Sequence, residues 1–218
     1  MTAIEVAPEQ APTLYRELAQ HPIGARCCLA TELTVTLRLA GTFHLDQGSL
    51  RLHVALDHPL AIRRLAASIR AFSGYEPVVR SAPTPGRPDR HALRLDTGAA
   101  PLASKLGLCD RTGRPVSGLP AHTGSVAACC RGAAWRAAYL AAGNLSATSG
   151  PTLRIGCPDR ATARALAALA NRSAPRARVT SVGVGPARVL VEVPGEVHRL
   201  LAEMGAERGP CPAQRAAL

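Results

Sequence analysis

The sequence predicts an α+β fold built as two similar halves, with helices packed on mostly antiparallel sheets. Three observations predict it. First, Cys27-Cys28, Ala40-Gly41 and Asp57 reappear as Cys129-Cys130, Ala142-Gly143 and Asp159, all 102 positions later and with no gap between those anchors. Second, identity between the halves is low, yet the hydrophobic pattern recurs in the same order as the anchors. Third, helical and alternating apolar segments succeed one another in each half. A period of about 100 residues is too long for a solenoid and suits a duplicated domain. Two such halves pack about a pseudo-twofold axis, as a homodimer would, so function is to be sought where they meet.

Residues 8–20 read as a short helix with Leu14, Tyr15 and Leu18 on one face, broken by His21-Pro22-Ile23-Gly24. A second helix over 28–41 is apolar at Leu29, Leu33, Val35, Leu37, Leu39 and Ala40. Apolar residues nearly all round mark a buried helix. A short strand at Phe43–Leu45 supplies a hairpin partner for Leu50–Leu56, where Leu50, Leu52, Val54 and Leu56 alternate with Arg51, His53 and Ala55. Pro59 suits the first position of a helix over 59–72. Leu60, Ile62, Leu65, Ala66 and Ile69 of that helix face inward, and Arg63, Arg64 and Arg70 outward. Strands over 76–80 and 91–96 flank Pro83-Thr84-Pro85-Gly86-Arg87-Pro88, a turn or hairpin tip. Leu102–Leu108 closes the half as a short helix.

After a Gly- and Pro-rich linker the order repeats. A helix over 129–142 carries Ala133, Ala134, Trp135, Ala138, Tyr139 and Leu140. A strand at 152–157, a helix at 160–171, strands at 177–182 and 187–193 and a helix at 196–204 follow. Gly183-Val184-Gly185-Pro186 turns the last two strands back on each other, and without a third glycine or a following helix it is no dinucleotide fingerprint. The domain organisation is therefore an N-terminal helix and connection (1–26), a first repeat (27–109), a linker (110–128), a second repeat (129–207) and a tail (208–218).

Composition narrows the function classes. Of 218 residues 47% are hydrophobic but only 3% aromatic, so Leu, Val and Ala fill the core. The net charge is +11, and apart from Lys105 every basic residue is arginine. Such a balance makes a polyanion the expected partner, nucleic acid ahead of membrane. No long uncharged apolar run could span a bilayer. The start, with Glu5, Pro8 and Glu9, lacks the basic and apolar regions of a signal peptide. A cytoplasmic location with reduced cysteines is expected.

Strand alternation assigns faces. If Leu50, Leu52, Val54 and Leu56 pack on the helices, Arg51 and His53 face the open side of the sheet. The same reasoning places Arg80, Arg94, Arg154, Arg178 and Arg188 there. Basic residues from both halves suit the regularly spaced phosphates of a duplex. The plainer reading is a polar sheet face or a protein-docking surface. Arg63, Arg64, Arg70, Arg160, Arg164 and Arg172, on the outer faces of two helices, read as readily as a solvated surface.

Ala40, Gly41, Ala142 and Gly143 are small enough to let the two central helices approach, and are expected to form the seam between halves. The doubled cysteines lack the Cys-x-x-Cys spacing of zinc sites. Neighbours on a helix also diverge by about 100°. They read as buried small residues and no metal is assigned to them, with a metal or redox site as the alternative, since both pairs start the central helices at the same end and could come near each other. No His-x-x-x-His pattern exists, and no catalytic residue, cofactor or small-molecule substrate is evident.

Arg26-Cys27-Cys28, Leu37-Arg38-Leu39-Ala40-Gly41-Thr42-Phe43-His44-Leu45, Gly118-Leu119-Pro120 and Ala134-Trp135-Arg136-Ala137-Ala138-Tyr139-Leu140-Ala141-Ala142-Gly143 resemble the WhiA family. These are bacterial regulators of sporulation and cell-division transcription with a LAGLIDADG homing-endonuclease-like domain. The resemblance covers residues 8–207. It implies a two-repeat LAGLIDADG fold, a DNA-facing sheet, a nucleoid-associated location, and DNA or a protein as partner. In active endonucleases of this fold an acidic residue ends each central helix and holds the catalytic metal. The matching positions here are Ala40 and Ala142, and a methyl group offers no oxygen to a hard cation. The nearest acids are Glu32 and Asp46, and the second repeat has none between Cys129 and Gly150. The resemblance thus implies a protein without nuclease activity. Family members continue into a helix-turn-helix domain, whereas this sequence stops at Leu218 after a Pro-rich tail.

Overall fold

A computed structural model describes residues 10–82, 90–110, 112–120, 123, 127–146, 150–172, 176–181 and 186–206. The expected turn at 83–88, most of the 183–186 bend and the tail lie outside them. The first half runs α1 (Gln10–Gln20), α2 (Arg26–Ala40), β1 (Gly41–Asp46), β2 (Ser49–Leu56), α3 (Pro59–Ser73), β3 (Val78–Ala82), β4 (Arg90–Leu95) and α4 (Ala99–Lys105). The second runs α5 (Ala128–Ala142), β5 (Gly143–Ser146), β6 (Thr152–Cys157), α6 (Arg160–Asn171), β7 (Arg178–Ser181), β8 (Ala187–Val191) and α7 (Pro194–Glu203). Each half folds one four-stranded antiparallel sheet, ordered β1-β2-β4-β3 and β5-β6-β8-β7. The central helices α2 and α5 pack on each other. One continuous core joins Leu33, Leu37, Leu52, Ile62, Ile69 and Leu93 of the first half to Trp135, Leu153, Ile155, Leu166, Val189 and Leu200 of the second.

Local chemistry sets the element limits. Pro59 opens α3, and Nδ1 of His58 accepts the N–H of Leu60 at 3.1 Å. The helix stops at Gly74, whose φ of 76° is the left-handed conformation glycine adopts without cost. Asp159 caps α6 by accepting from the N–H of Thr162 at 2.7 Å and its hydroxyl at 2.9 Å. β3 starts later than expected, at Val78, because Pro77 has no N–H for the ladder. The helix expected at 102–108 lies earlier, at Ala99–Lys105, and Gly107, with φ 67°, follows it in a turn. α2 likewise starts at Arg26 and ends at Ala40, with Gly41 already in a strand.

The repeat is not gapless. Gly41 pairs with Val54 in the first hairpin and Gly143 with Ile155 in the second, so the second hairpin is one residue shorter. Asp159 therefore corresponds to the cap His58, and its match to Asp57 in an ungapped alignment is a coincidence of register.

The described part of the linker is exposed from Thr112 to Ser117 and packs from Gly118 onward. Asp110 accepts from the N–H and hydroxyl of Thr112 (2.8 and 2.7 Å) and the N–H of Arg114 (2.9 Å). These donors, the Thr112 hydroxyl first, hold its carboxyl below the usual carboxylate range. Leu119, Pro120 and Thr123 line a crevice with Ala165, Ala168 and Leu169 of α6. Among the described residues no helix is long and apolar enough to cross a membrane.

Candidate nucleic-acid interface

Residues directly opposite in an antiparallel ladder share a face. His53 lies opposite Thr42 and Arg94, Arg51 opposite His44, and Arg80 opposite Ala92. In the second sheet Arg154 lies opposite Asn144 and Leu190, Arg178 opposite Leu190, and Arg188 opposite Gly156 and Thr180. Their strand neighbours Leu52, Val54, Leu93, Leu95, Leu153, Ile155, Val189 and Val191 are buried in the core. The structure thus puts Arg51, His53, Arg80, Arg94, Arg154, Arg178 and Arg188 on the open faces.

Their charge is partly answered. Arg51 pairs with Asp46 (2.8 Å) and Asp96 (3.8 Å), Arg94 with Asp96 (2.9 Å), and Arg178 with Glu192. Arg80, Arg154 and Arg188 are exposed and have no ion-pair partner among the described residues. His44 and His53 meet edge to face at 5.2 Å. A groove of about 590 Å³ runs from Ala40 and Ala141, at the helix ends, over Thr42, His53, Arg80 and Arg94 of the first sheet.

The glycines at the helix ends have a local role. A Cβ on Gly41 would lie 2.5 Å from the carbonyl oxygen of Leu37, and one on Gly143 would lie 2.5 Å from Cα of Tyr139. Each glycine is demanded by its own helix, where the chain turns sharply into a strand. Ala40 and Ala142 are half-buried. Further side-chain contacts join the halves elsewhere on the helices. Cys28, Cys130 and Ala133 form a small buried cluster, and the hydroxyl of Tyr15 on α1 donates to the carbonyl of Leu140. Burial raises the Tyr15 pKa above its ordinary value.

Between those contacts sits a buried ion network. Both carboxylate oxygens of Glu32 accept from Arg64, through Nε and Nη2 at 3.0 Å each. Arg136 of the other half donates to the same carboxylate from Nε at 3.0 Å and also from Nη2. Nη1 of Arg64 reaches the carbonyls of Ala19 (3.2 Å) and His21, and Nη1 of Arg136 reaches that of Met204 (2.6 Å). The side chains of Glu32, Arg64 and Arg136 are 7%, 8% and 5% exposed, so Arg64 is not the outward residue the helical pattern suggests. Arg136 was detectable in the sequence. An arginine amid Ala133, Ala134, Trp135, Ala137 and Ala138 on a buried helix needs an acid within reach.

The cysteines also come together. Sγ of Cys28 lies 3.8 Å from Sγ of Cys130, and the adjacent pairs Cys27–Cys28 and Cys129–Cys130 have Sγ separations of 4.0 and 3.9 Å. All four sulfurs lie within 4.8 Å of one another. The divergence of helical neighbours is overcome here because both pairs begin their helices and turn their sulfurs toward the same crossing. Burial pushes the Cys28 thiol up, and that of Cys130 up to about 11, while hydrogen bonding with Cys130 holds Cys27 down.

Residues 26–109 match the family model for the WhiA N-terminal LAGLIDADG-like domain. The chain is 36% identical over 193 residues to the probable cell division protein WhiA of Acidothermus cellulolyticus, covering 87% of this chain and 59% of that relative. The chain is thus similar to the LAGLIDADG-like N-terminal part of WhiA proteins, and it spans about 59% of the length of that relative. The WhiA protein of Streptomyces avermitilis is 35% identical, and the chain spans 58% of its length. The crystal structure of an N-terminal LAGLIDADG domain of DUF199/WhiA superposes with TM-score 0.73 at 11% identity, over 99% of this chain and 98% of that one. The homing endonuclease I-DmoI, in complex with DNA and Mn, shares the fold at TM-score 0.57 and 12% identity, over 83% of this chain and 98% of its own. The WhiA fold thus accounts for both sheets and the paired central helices.

Proposed function

We propose that this chain is a non-catalytic regulatory domain of WhiA type, which grips the phosphate backbone of duplex DNA with its two open sheet faces and acts at the nucleoid in cell-division control. The observation that carries the reading is the trio Arg80, Arg154 and Arg188, exposed on both sheets without a carboxylate partner among the described residues. Arg51, Arg94 and Arg178 sit beside them with their pairing carboxylates, exposed pairs that a phosphate can compete for at small cost. The net charge of +11 favours the encounter. The neighbour I-DmoI, of the same fold, is described bound to DNA. Phosphate binding of this kind is salt-sensitive and largely indifferent to sequence. Two features support the absence of nuclease chemistry. Ala40 and Ala142 offer no oxygen ligand, and Glu32, the acid on α2, is held by Arg64 and Arg136.

A second reading, a scaffold that docks a protein, draws on Asp46, Asp96 and Glu192, which interleave with the arginines and give the face mixed charge. Titrating duplex DNA across salt concentration separates the two. Under the DNA reading the triple variant Arg80→Glu/Arg154→Glu/Arg188→Glu lowers affinity, and its plot of log affinity against log salt is shallower by about one unit for each phosphate no longer neutralised. Supercoiled plasmid stays intact with magnesium or manganese. Wild-type protein that fails to bind DNA at low salt would leave the scaffold reading standing.

A further inference from the structure

We propose that Cys27, Cys28, Cys129 and Cys130 form a tetrathiolate zinc site that clamps the starts of α2 and α5 together across the seam. The geometry carries the proposal. Four sulfurs at Zn–S distances near 2.3 Å in a tetrahedron lie about 3.8 Å from one another. The separations of 3.8, 3.9 and 4.0 Å, with all four sulfurs within 4.8 Å, describe that tetrahedron within a small adjustment. A disulfide needs sulfurs about 2.05 Å apart and joins only two of them. Close packing of thiols would explain one such approach, but it does not require four sulfurs from two helices to converge on one point.

The surroundings suit an anionic complex. Binding replaces four thiol protons, which leave to solvent, and the resulting Zn(S-Cys)4 unit carries a double negative charge. It sits at the N-termini of two 15-residue helices, the positive ends of their dipoles. The N-cap residues are Ala25 and Ala127, and neither cap carries a side-chain hydrogen bond, so first-turn N–H groups remain to meet the sulfurs. Cys28 and Cys130 are buried and Cys27 and Cys129 exposed, which gives the ion an entry path. A soft tetrahedral sulfur site selects Zn²⁺ over hard cations such as Mg²⁺. The role is structural, because all four positions are protein ligands and none remains for substrate.

The test uses the full chain, purified under reductant and titrated with Zn²⁺ against a chromophoric chelator. One equivalent of tightly bound zinc is expected. Co²⁺ in its place should show the visible ligand-field bands of a tetrahedral ion together with sulfur-to-cobalt charge transfer. The double variant Cys27→Ser/Cys129→Ser changes only exposed positions and so should fold. It is expected to weaken zinc more than about a hundredfold and to lose the cobalt spectrum. Wild-type Tm should fall when the metal is chelated, and the variant's Tm should not respond. Zinc binding equal in variant and wild type, or no stoichiometric zinc in folded reduced protein, would overturn the proposal, as would a Cys28–Cys130 disulfide persisting under reductant.

Discussion

His58 and Asp159 perform the same task in the two halves, accepting a first-turn N–H of the helix that follows, yet only the histidine titrates near neutrality. Burial, assisted by the charges of His91 and Arg16, lowers the His58 pKa below its ordinary 6.5. The folded protein therefore resists a proton that the unfolded chain accepts. The stability tied to this group is complete above the unfolded pKa of 6.5 and drains away as pH falls through the lower folded value. Asparagine caps helices well and does not titrate in this range. The gap in Tm between wild type and His58→Asn should shift in favour of the variant as pH drops below about 6.5, and stay flat above it. Parallel curves throughout would show that the cap is not the titrating element. The histidines that do not interact with His58 are common to both proteins and cancel, and a His91→Asn background removes the one that does.

Elements were largely legible because their signals are local. Leu50, Leu52, Val54 and Leu56 alternate with Arg51, His53 and Ala55 within one strand, and that period assigns faces without knowledge of any partner. Pro59 and the cap before it mark a helix start from a few residues. What depended on a second segment was not legible. The missing residue in the second hairpin leaves no trace in the anchors on either side, so Asp159 aligned with the wrong residue. Arg64 sits at an outward position by helical count, but its long side chain turns back to Glu32, 32 residues earlier. The cysteine pairs lack any local motif because each is completed by the other half. The helix-to-strand corner makes its own prediction. Gly143→Ala would bring Cβ within 2.5 Å of Cα of Tyr139 and should destabilise by roughly 1–3 kcal/mol in denaturant titration. Gly195→Ala in α7, where a Cβ meets nothing within 4 Å, should instead stabilise by up to about 1 kcal/mol. Equal effects at the two positions would refute the steric account of the corner.

At the scale of the molecule, Glu32 joins four parts of the chain. Through Arg64 it reaches the end of α1, and through Arg136 it reaches α5 and the carbonyl of Met204 beyond α7. Removing the charge at the centre leaves two buried guanidinium groups without a counter-ion. Glu32→Gln is expected to cost about 3–5 kcal/mol, read as a lower denaturant midpoint with an unchanged slope. A loss below about 1 kcal/mol would mean the network is solvated like a surface pair. The seam is thus held by charge at its middle and by small and aromatic side chains, Ala133 and Trp135 among them, packed nearby.

That arrangement has a consequence for how the chain is made. On the ribosome the first half emerges with Glu32 and Arg64 able to meet, but Arg136 follows 104 residues behind Glu32. Until α5 arrives, one side of α2 has no cover, and at roughly 5–20 residues per second that interval lasts several seconds. A chain ending before α5 is therefore expected to leave that side of α2 open to solvent and to be cut by protease faster than the whole chain.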